Sequence, residues 1–195
     1  MKSAQKLGRG FAIKALFCAA LVMPLRVWAD PSVQMKLEDL GHGTYRLEGH
    51  FKVAGSPYDV WKVLTDYENM SSFVSSLRRS VVKDSTTDRV LLEQEALGKK
   101  FIFTKRIQVL LQVTEIPYKR VIFEDTLHAD FAFYAGSWEI RKAGADLDVQ
   151  YRLNCKRTFM VPNAIAKDAL QESARDLLAE VRAEVIRRGD KGGSK

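Results

Sequence analysis

The sequence predicts an α+β domain: an antiparallel sheet of seven or slightly more strands, curved around one long C-terminal helix, with two short helices after the first long strand. Three observations carry this. From residue 78 to residue 159 the apolar residues recur with period two, broken only by short polar turns. From Pro162 to Arg188 the period becomes helical. Between the first strand pair and the long alternating region stands "SPYDVWKVLTDYENMSSF", whose opening is a helix start.

Taken in order, "VQMKLEDL" and "TYRLEGHFKV" flank "GHG", which reads as a hairpin. Its second strand puts Tyr45, Leu47, Phe51 and Val53 on one face and Arg46, Glu48, His50 and Lys52 on the other. Ser56 is a good N-cap, Pro57 suits the first helical position, and Asp59 stands at capping-box spacing. Val60, Trp61, Leu64 and Tyr67 follow at helical spacing, and a break leads to a second short helix with Met70 and Phe73. Six strand-like runs come next: "RRSVV", "RVLLEQEAL", "KFIFTKRIQVLLQVTEI", "KRVIFEDTL", "FYAGSWEIRK" and "DLDVQYRLNCKRTF". Their short connections imply an antiparallel meander. In the last run Leu147, Val149, Tyr151, Leu153 and Cys155 oppose five polar residues, the pattern of a sheet with one dry face. The closing helix, expected to stop at Gly189, carries Ala166, Leu170, Ala174, Leu177, Leu178, Val181 and Val185 as one apolar stripe. At ~1.5 Å per residue it is about 40 Å long, enough to cross the sheet.

Residues 1–29 read as a secretory signal peptide, with Lys2, Lys6, Arg9 and Lys14 before the apolar run "ALFCAALVM" and small Val27 and Ala29 before Asp30. That run is well short of the ~20 apolar residues that span a bilayer. Bulky Phe17 before Cys18 argues against lipidation there. The domain is expected over 33–189 and a flexible Gly-rich tail over 190–195. The chain has 31 basic and 24 acidic residues, but losing 1–29 removes five basic and no acidic ones, leaving 26 against 24. The basic excess thus belongs to the signal segment, and a nucleic-acid partner, which wants a concentrated basic face, is excluded. Cys155 would be the one remaining cysteine, so no internal disulfide forms and the fold stands on its core.

This order of elements resembles the helix-grip fold of the START-like, or SRPBCC, superfamily. "AGSPYDVWKVLTDYENMSSFVSSLRRSVV" and "GSWEIRKAGADLDVQYRL" resemble its polyketide cyclase/dehydrase and coenzyme-Q-binding branch, and "FMVPNAIAKDALQESARDLLAEVRAEVIRRG" resembles that branch's closing helix. The resemblance implies an apolar cavity between sheet and long helix, with the short helices near its mouth. A physical reason points the same way: a twisted sheet curled around a straight rod leaves volume that side chains fill or a ligand occupies. Small Ala166, Ala169 and Ala174 on the helix either leave that space or permit close packing.

The aromatic residues Phe101, Phe103, Phe123, Phe131, Phe133, Tyr134, Trp138 and Tyr151 suit either a lined pocket or an ordinary core. Tyr67 and Phe73 lie on the short helices, where a gate would stand. The ligand-binding candidates are Tyr67, Phe73, Gln94, Phe103, Lys105, Phe123, Phe133, Trp138, Tyr151, Leu170, Ala174 and Leu177. Gln94 and Lys105 are included because strand alternation places them in register with apolar neighbours, where a polar group orients a ligand headgroup. For Lys105 the alternative is a bulge or snorkelling to solvent. Asp125 is either its counter-ion or an exposed charge. Glu93 and Glu95 read as a solvated face, and Cys155 as an inert buried thiol. His42, His50 and His128 lack metal-site spacing, and the sequence carries no nucleophile elbow, phosphate loop or dinucleotide fingerprint. No catalytic residue, metal or cofactor is therefore assigned.

The leading expectation is an exported protein of the bacterial periplasm that holds a lipid-, isoprenoid- or polyketide-like molecule, with transient contact to a membrane surface. The second is a cyclase or dehydratase acting in the same cavity, with Lys105, Asp125 or Tyr134 as acid or base. The third is a protein-interaction module whose core is filled.

Overall fold

The computed structural model describes residues 32–100 and 103–192. The signal-peptide reading of 1–29, Phe101 and residues 193–195 of the expected tail lie outside the described residues.

The strands are β1 (Val33–Gly41), β2 (Thr44–Val53), β3 (Leu77–Ser85), β4 (Val90–Lys100), β5 (Phe103–Ile116), β6 (Arg120–Asp125), β7 (Phe131–Ala143) and β8 (Asp146–Arg157). They form one eight-stranded sheet in the order β1-β2-β8-β7-β6-β5-β4-β3. Every pairing is antiparallel. β3 to β8 are thus a continuous meander, and the β1–β2 hairpin closes onto its far side. The β2–β8 ladder runs unbroken from Thr44 opposite Lys156 to Val53 opposite Leu147.

The hairpin turn bends through Gly41, His42 and Gly43, all with positive φ. Helix α1 (Pro57–Leu64) begins with the expected capping box: the Ser56 side chain accepts from the Asp59 N–H, and the Asp59 carboxylate accepts from the Ser56 N–H. A 3-10 turn (Tyr67–Asn69) and α2 (Met70–Phe73) complete the short helical segment.

Helix α3 spans Asn163–Gly192, with the Pro162 carbonyl accepting from Ala166 N–H at its start. The expected stop at Gly189 does not operate. A Cβ at Gly189 would meet nothing within 4 Å, so the position is open surface where glycine costs a helix only about 1 kcal/mol. Glu184 pairs with Arg187 and Arg188 on the turn before it, which favours continuation.

The dry face of the sheet and the inner stripe of α3 make one core. Leu47, Phe51, Val149, Leu178 and Val181 are fully buried in it. Helix and sheet meet closely at Gly49, where a Cβ would stand 2.4 Å from Leu178 Cδ1. At the other end of α3, Arg188 bonds Asp66 at 2.7 Å and lies over the Phe73 ring, fastening the short helices to the long one.

Candidate functional site: a cavity between sheet and helix

Between the sheet and the first half of α3 the core opens into a cavity of about 470 Å³. Its size falls within the range of small-molecule sites. The sheet contributes Leu111 and Val113 of β5, Phe123 of β6, Tyr134 and Trp138 of β7, and Tyr151, Leu153 and Cys155 of β8. Helix α3 contributes Ala166, Ala169, Leu170, Ala174 and Leu177, and the short helical segment contributes Leu64, Tyr67 and Met70. Lys105 and Met160 also line it, and Met160 is 95% exposed, so the cavity reaches solvent beside the β8–α3 connection.

Rings pave the sheet side without filling the space. Trp138 and Tyr151 lie with centroids 4.5 Å apart, Phe123 stacks on Tyr151 at 6.1 Å, and Phe131 meets Tyr134 at 4.9 Å. Phe123 can lie flat there because β7 places Gly136 opposite it. The expectation of a filled core is overturned by this open volume.

Of the candidates read from sequence, Tyr67, Gln94, Lys105, Phe123, Trp138, Tyr151, Leu170, Ala174 and Leu177 lie on the cavity wall. Two do not. Phe133 follows a register shift between Phe131 and Phe133, so the bulge turns Phe131 inward, 7% exposed, and leaves Phe133 38% exposed. Phe73 is turned toward the end of α3, where the Arg188 guanidinium covers its ring. The Phe103 side chain lies outside the described residues.

The polar groups of the wall are mostly paired. The Tyr67 hydroxyl donates to Glu115 at 2.7 Å, and burial together with that carboxylate pushes its pKa up. Gln94 donates to Ser80 at 3.1 Å. Lys105 Nζ bonds Asp130 at 2.7 Å and is half exposed. Its counter-ion is therefore Asp130, and both expectations for Asp125 fail. Asp125 is fully buried and accepts the backbone N–H groups of Leu110, Leu127 and His128, so it staples the β6–β7 turn to β5. Glu93 and Glu95 sit in surface ion pairs with Arg79, Lys83 and Arg106.

Tyr134 and Tyr151 both line the cavity. Burial raises both phenols, Tyr134 to about 12, and raises the Cys155 thiol to about 12. These groups stay protonated near neutral pH, so they act as hydrogen-bonding groups and not as bases. Among the described residues no group of three or more His, Cys, Asp or Glu side chains could hold a metal, and no helix is long and apolar enough to cross a membrane.

Sequence reasoning missed Tyr45 and Arg157 as wall residues. For Tyr45 the signal was present, since alternation put it on the dry face. For Arg157 it was not, because a basic residue at a strand end reads as solvent-facing.

An antiparallel sheet wrapped on a C-terminal helix around an apolar cavity defines the helix-grip class of START/SRPBCC proteins. Residues 53–182 match the family described as "Polyketide cyclase / dehydrase and lipid transport", and the chain belongs to that family. Among solved structures it is similar to the STAR-related lipid transfer protein from Xanthomonas axonopodis, at 13% identity and TM-score 0.66, covering 80% of this chain and 94% of that one. It is similar to the Zhui aromatase/cyclase from Streptomyces sp. R1128, at 12% identity and TM-score 0.65, covering 74% and 95%. Human STARD10 is similar at 9% identity and TM-score 0.63, covering 80% and 70%. At these identities the likeness is one of fold. Comparison with curated proteins gives no match. Family and fold together define a hydrophobic-ligand-binding or cyclase-type protein.

Proposed function

We propose that the protein is exported and carries a hydrophobic molecule of lipid, isoprenoid or polyketide type in the cavity between the sheet and α3. One observation carries this reading: a volume of about 470 Å³, paved with rings on one side and faced by Ala166, Ala169 and Ala174 on the other, stays open inside an otherwise closed core. An apolar hollow of that size is a cost unless something occupies it, because its lining forgoes packing contacts. The family description and the lipid-transfer neighbour support the same use. Export to the periplasm rests on the character of residues 1–29.

Native mass spectrometry of protein purified from its native compartment, before and after organic extraction, tests the proposal. The expected result is a bound hydrophobic species that extraction removes. Ala174→Phe, which puts a ring into the cavity, should lower uptake of N-phenyl-1-naphthylamine about tenfold or more, a loss of about 1.4 kcal/mol, while the fold's melting temperature holds. Protein that never retains or takes up a hydrophobic molecule would sink the carrier reading.

A cyclase-type activity is the second reading, favoured by the Tyr134 and Tyr151 phenols on the cavity wall and by the aromatase/cyclase neighbour. Loss of turnover in Lys105→Ala with ligand uptake intact would favour it.

A further inference from the structure

Among the described residues two buried side-chain polar atoms have no hydrogen-bond partner, the Tyr45 hydroxyl and Arg157 Nε, and both residues line the cavity. Tyr45 is itself only 3% exposed. Buried hydroxyl and guanidinium donors are paired in folded proteins almost without exception, because leaving one unmade forfeits its whole hydration. Two such orphans on residues that line one hollow are donors that a ligand's polar end would satisfy.

The two are neighbours. Tyr45 stands opposite Cys155 in the β2–β8 ladder, and one pleat further along the Arg157 N–H donates to the Gly43 carbonyl at 3.1 Å. Gly43 makes room for the arginine: a Cβ there would lie 3.0 Å from Arg157 Cγ. The terminal nitrogens of Arg157 are held by the Phe159 carbonyl and the Asn163 side chain. Both are neutral acceptors, so neither supplies a counter-charge. No carboxylate pairs with it among the described residues. Lys105, the other cation of the wall, is by contrast neutralised by Asp130. Asn163 is also the first residue of the 30-residue α3, whose N-terminal dipole adds to the positive potential at this end.

We propose that the cargo is a long-chain monocarboxylate, its carboxylate accepting hydrogen bonds from the Tyr45 hydroxyl and Arg157 Nε and its tail lying along the ring-paved wall. This rests on the carrier reading above and narrows it to one ligand class. A carboxylate suits the site because it accepts from both donors and balances the arginine.

The test is displacement of N-phenyl-1-naphthylamine from the extracted, full protein by dodecanoate and by methyl dodecanoate, in wild type, Tyr45→Phe and Arg157→Gln. The quantity read is the ratio of acid to ester affinity, compared between proteins so that the two ligands' different solubilities cancel. The expected result is a fall in that ratio of about tenfold in Tyr45→Phe, as for loss of one hydrogen bond to a charged group, and a larger fall in Arg157→Gln. An unchanged ratio in both variants, or equal weakening of acid and ester, overturns the inference while leaving the carrier reading standing. If neither ligand displaces the probe from wild type, both fall together.

Discussion

The Phe123 ring lies directly over Gly136: a Cβ on that glycine would stand 2.6 Å from Phe123 Cζ and 2.2 Å from the Arg152 carbonyl oxygen. The missing side chain on β7 is what lets a ring on β6 fold flat and become part of the cavity wall. Gly136→Ala cannot be absorbed by a rotamer change, since one clashing atom is backbone. It should destabilise the protein by about 3 kcal/mol, read as a lowered urea midpoint, and should weaken uptake of hydrophobic probes in whatever fraction remains folded. A variant as stable as wild type would mean that β7 and β8 do not approach as closely as the structure has them.

Asp125 makes a different kind of prediction. It is fully buried, and its carboxylate oxygens accept from Leu110 N–H at 2.9 Å, Leu127 N–H at 3.0 Å and His128 N–H at 3.1 Å. Asp125→Ala strands those donors and should cost about 3 kcal/mol in chemical denaturation. An exposed charge removed from the same position would change stability by less than about 0.5 kcal/mol, so the measurement separates the two roles.

Glu184 ties stability to acid pH. The hydrogen bonds from Arg187, helped by Arg188, hold its carboxyl pKa at about 2 against an ordinary 4.5, although burial acts in the opposite direction. A carboxylate with a depressed folded-state pKa stabilises fully above its unfolded value and loses that contribution as pH falls through the folded one. Urea midpoints of wild type and Glu184→Gln should therefore differ most above about pH 5 and converge as pH approaches about 2. A gap independent of pH would show that the charge of Glu184 is not what holds the end of α3.

The architecture was legible because it depends on period and punctuation. Alternation along "DLDVQYRLNCKRTF" put Leu147, Val149, Tyr151, Leu153 and Cys155 on one face, and all five are buried. The Ser56 capping box formed as its spacing implies, because a cap is a contact three residues long. Gly189 misled for a related reason. A glycine after a helical stripe stops a helix only where the chain adopts a left-handed turn there, and Glu184 with its two arginines favoured another turn of helix instead.

The site was legible only in part. Tyr67, Trp138, Tyr151 and the small face of α3 reached the cavity because their strand or helix face dictated it. Phe133 did not, since a single extra residue in β7 reverses which side of the sheet a ring points to, and no local composition announces that bulge.

By itself the sequence determined the order of elements, which faces are dry, and that a long helix must cover the sheet, since all of these follow from contacts between residues near in the chain. Only the tertiary structure decided that the hollow stays open, that Lys105 is matched by Asp130, and that the Tyr45 hydroxyl and Arg157 Nε are left without partners on the cavity wall. Those facts depend on groups distant in the chain being brought to one wall by sheet curvature and register, and neither curvature nor register leaves a mark in a window of sequence.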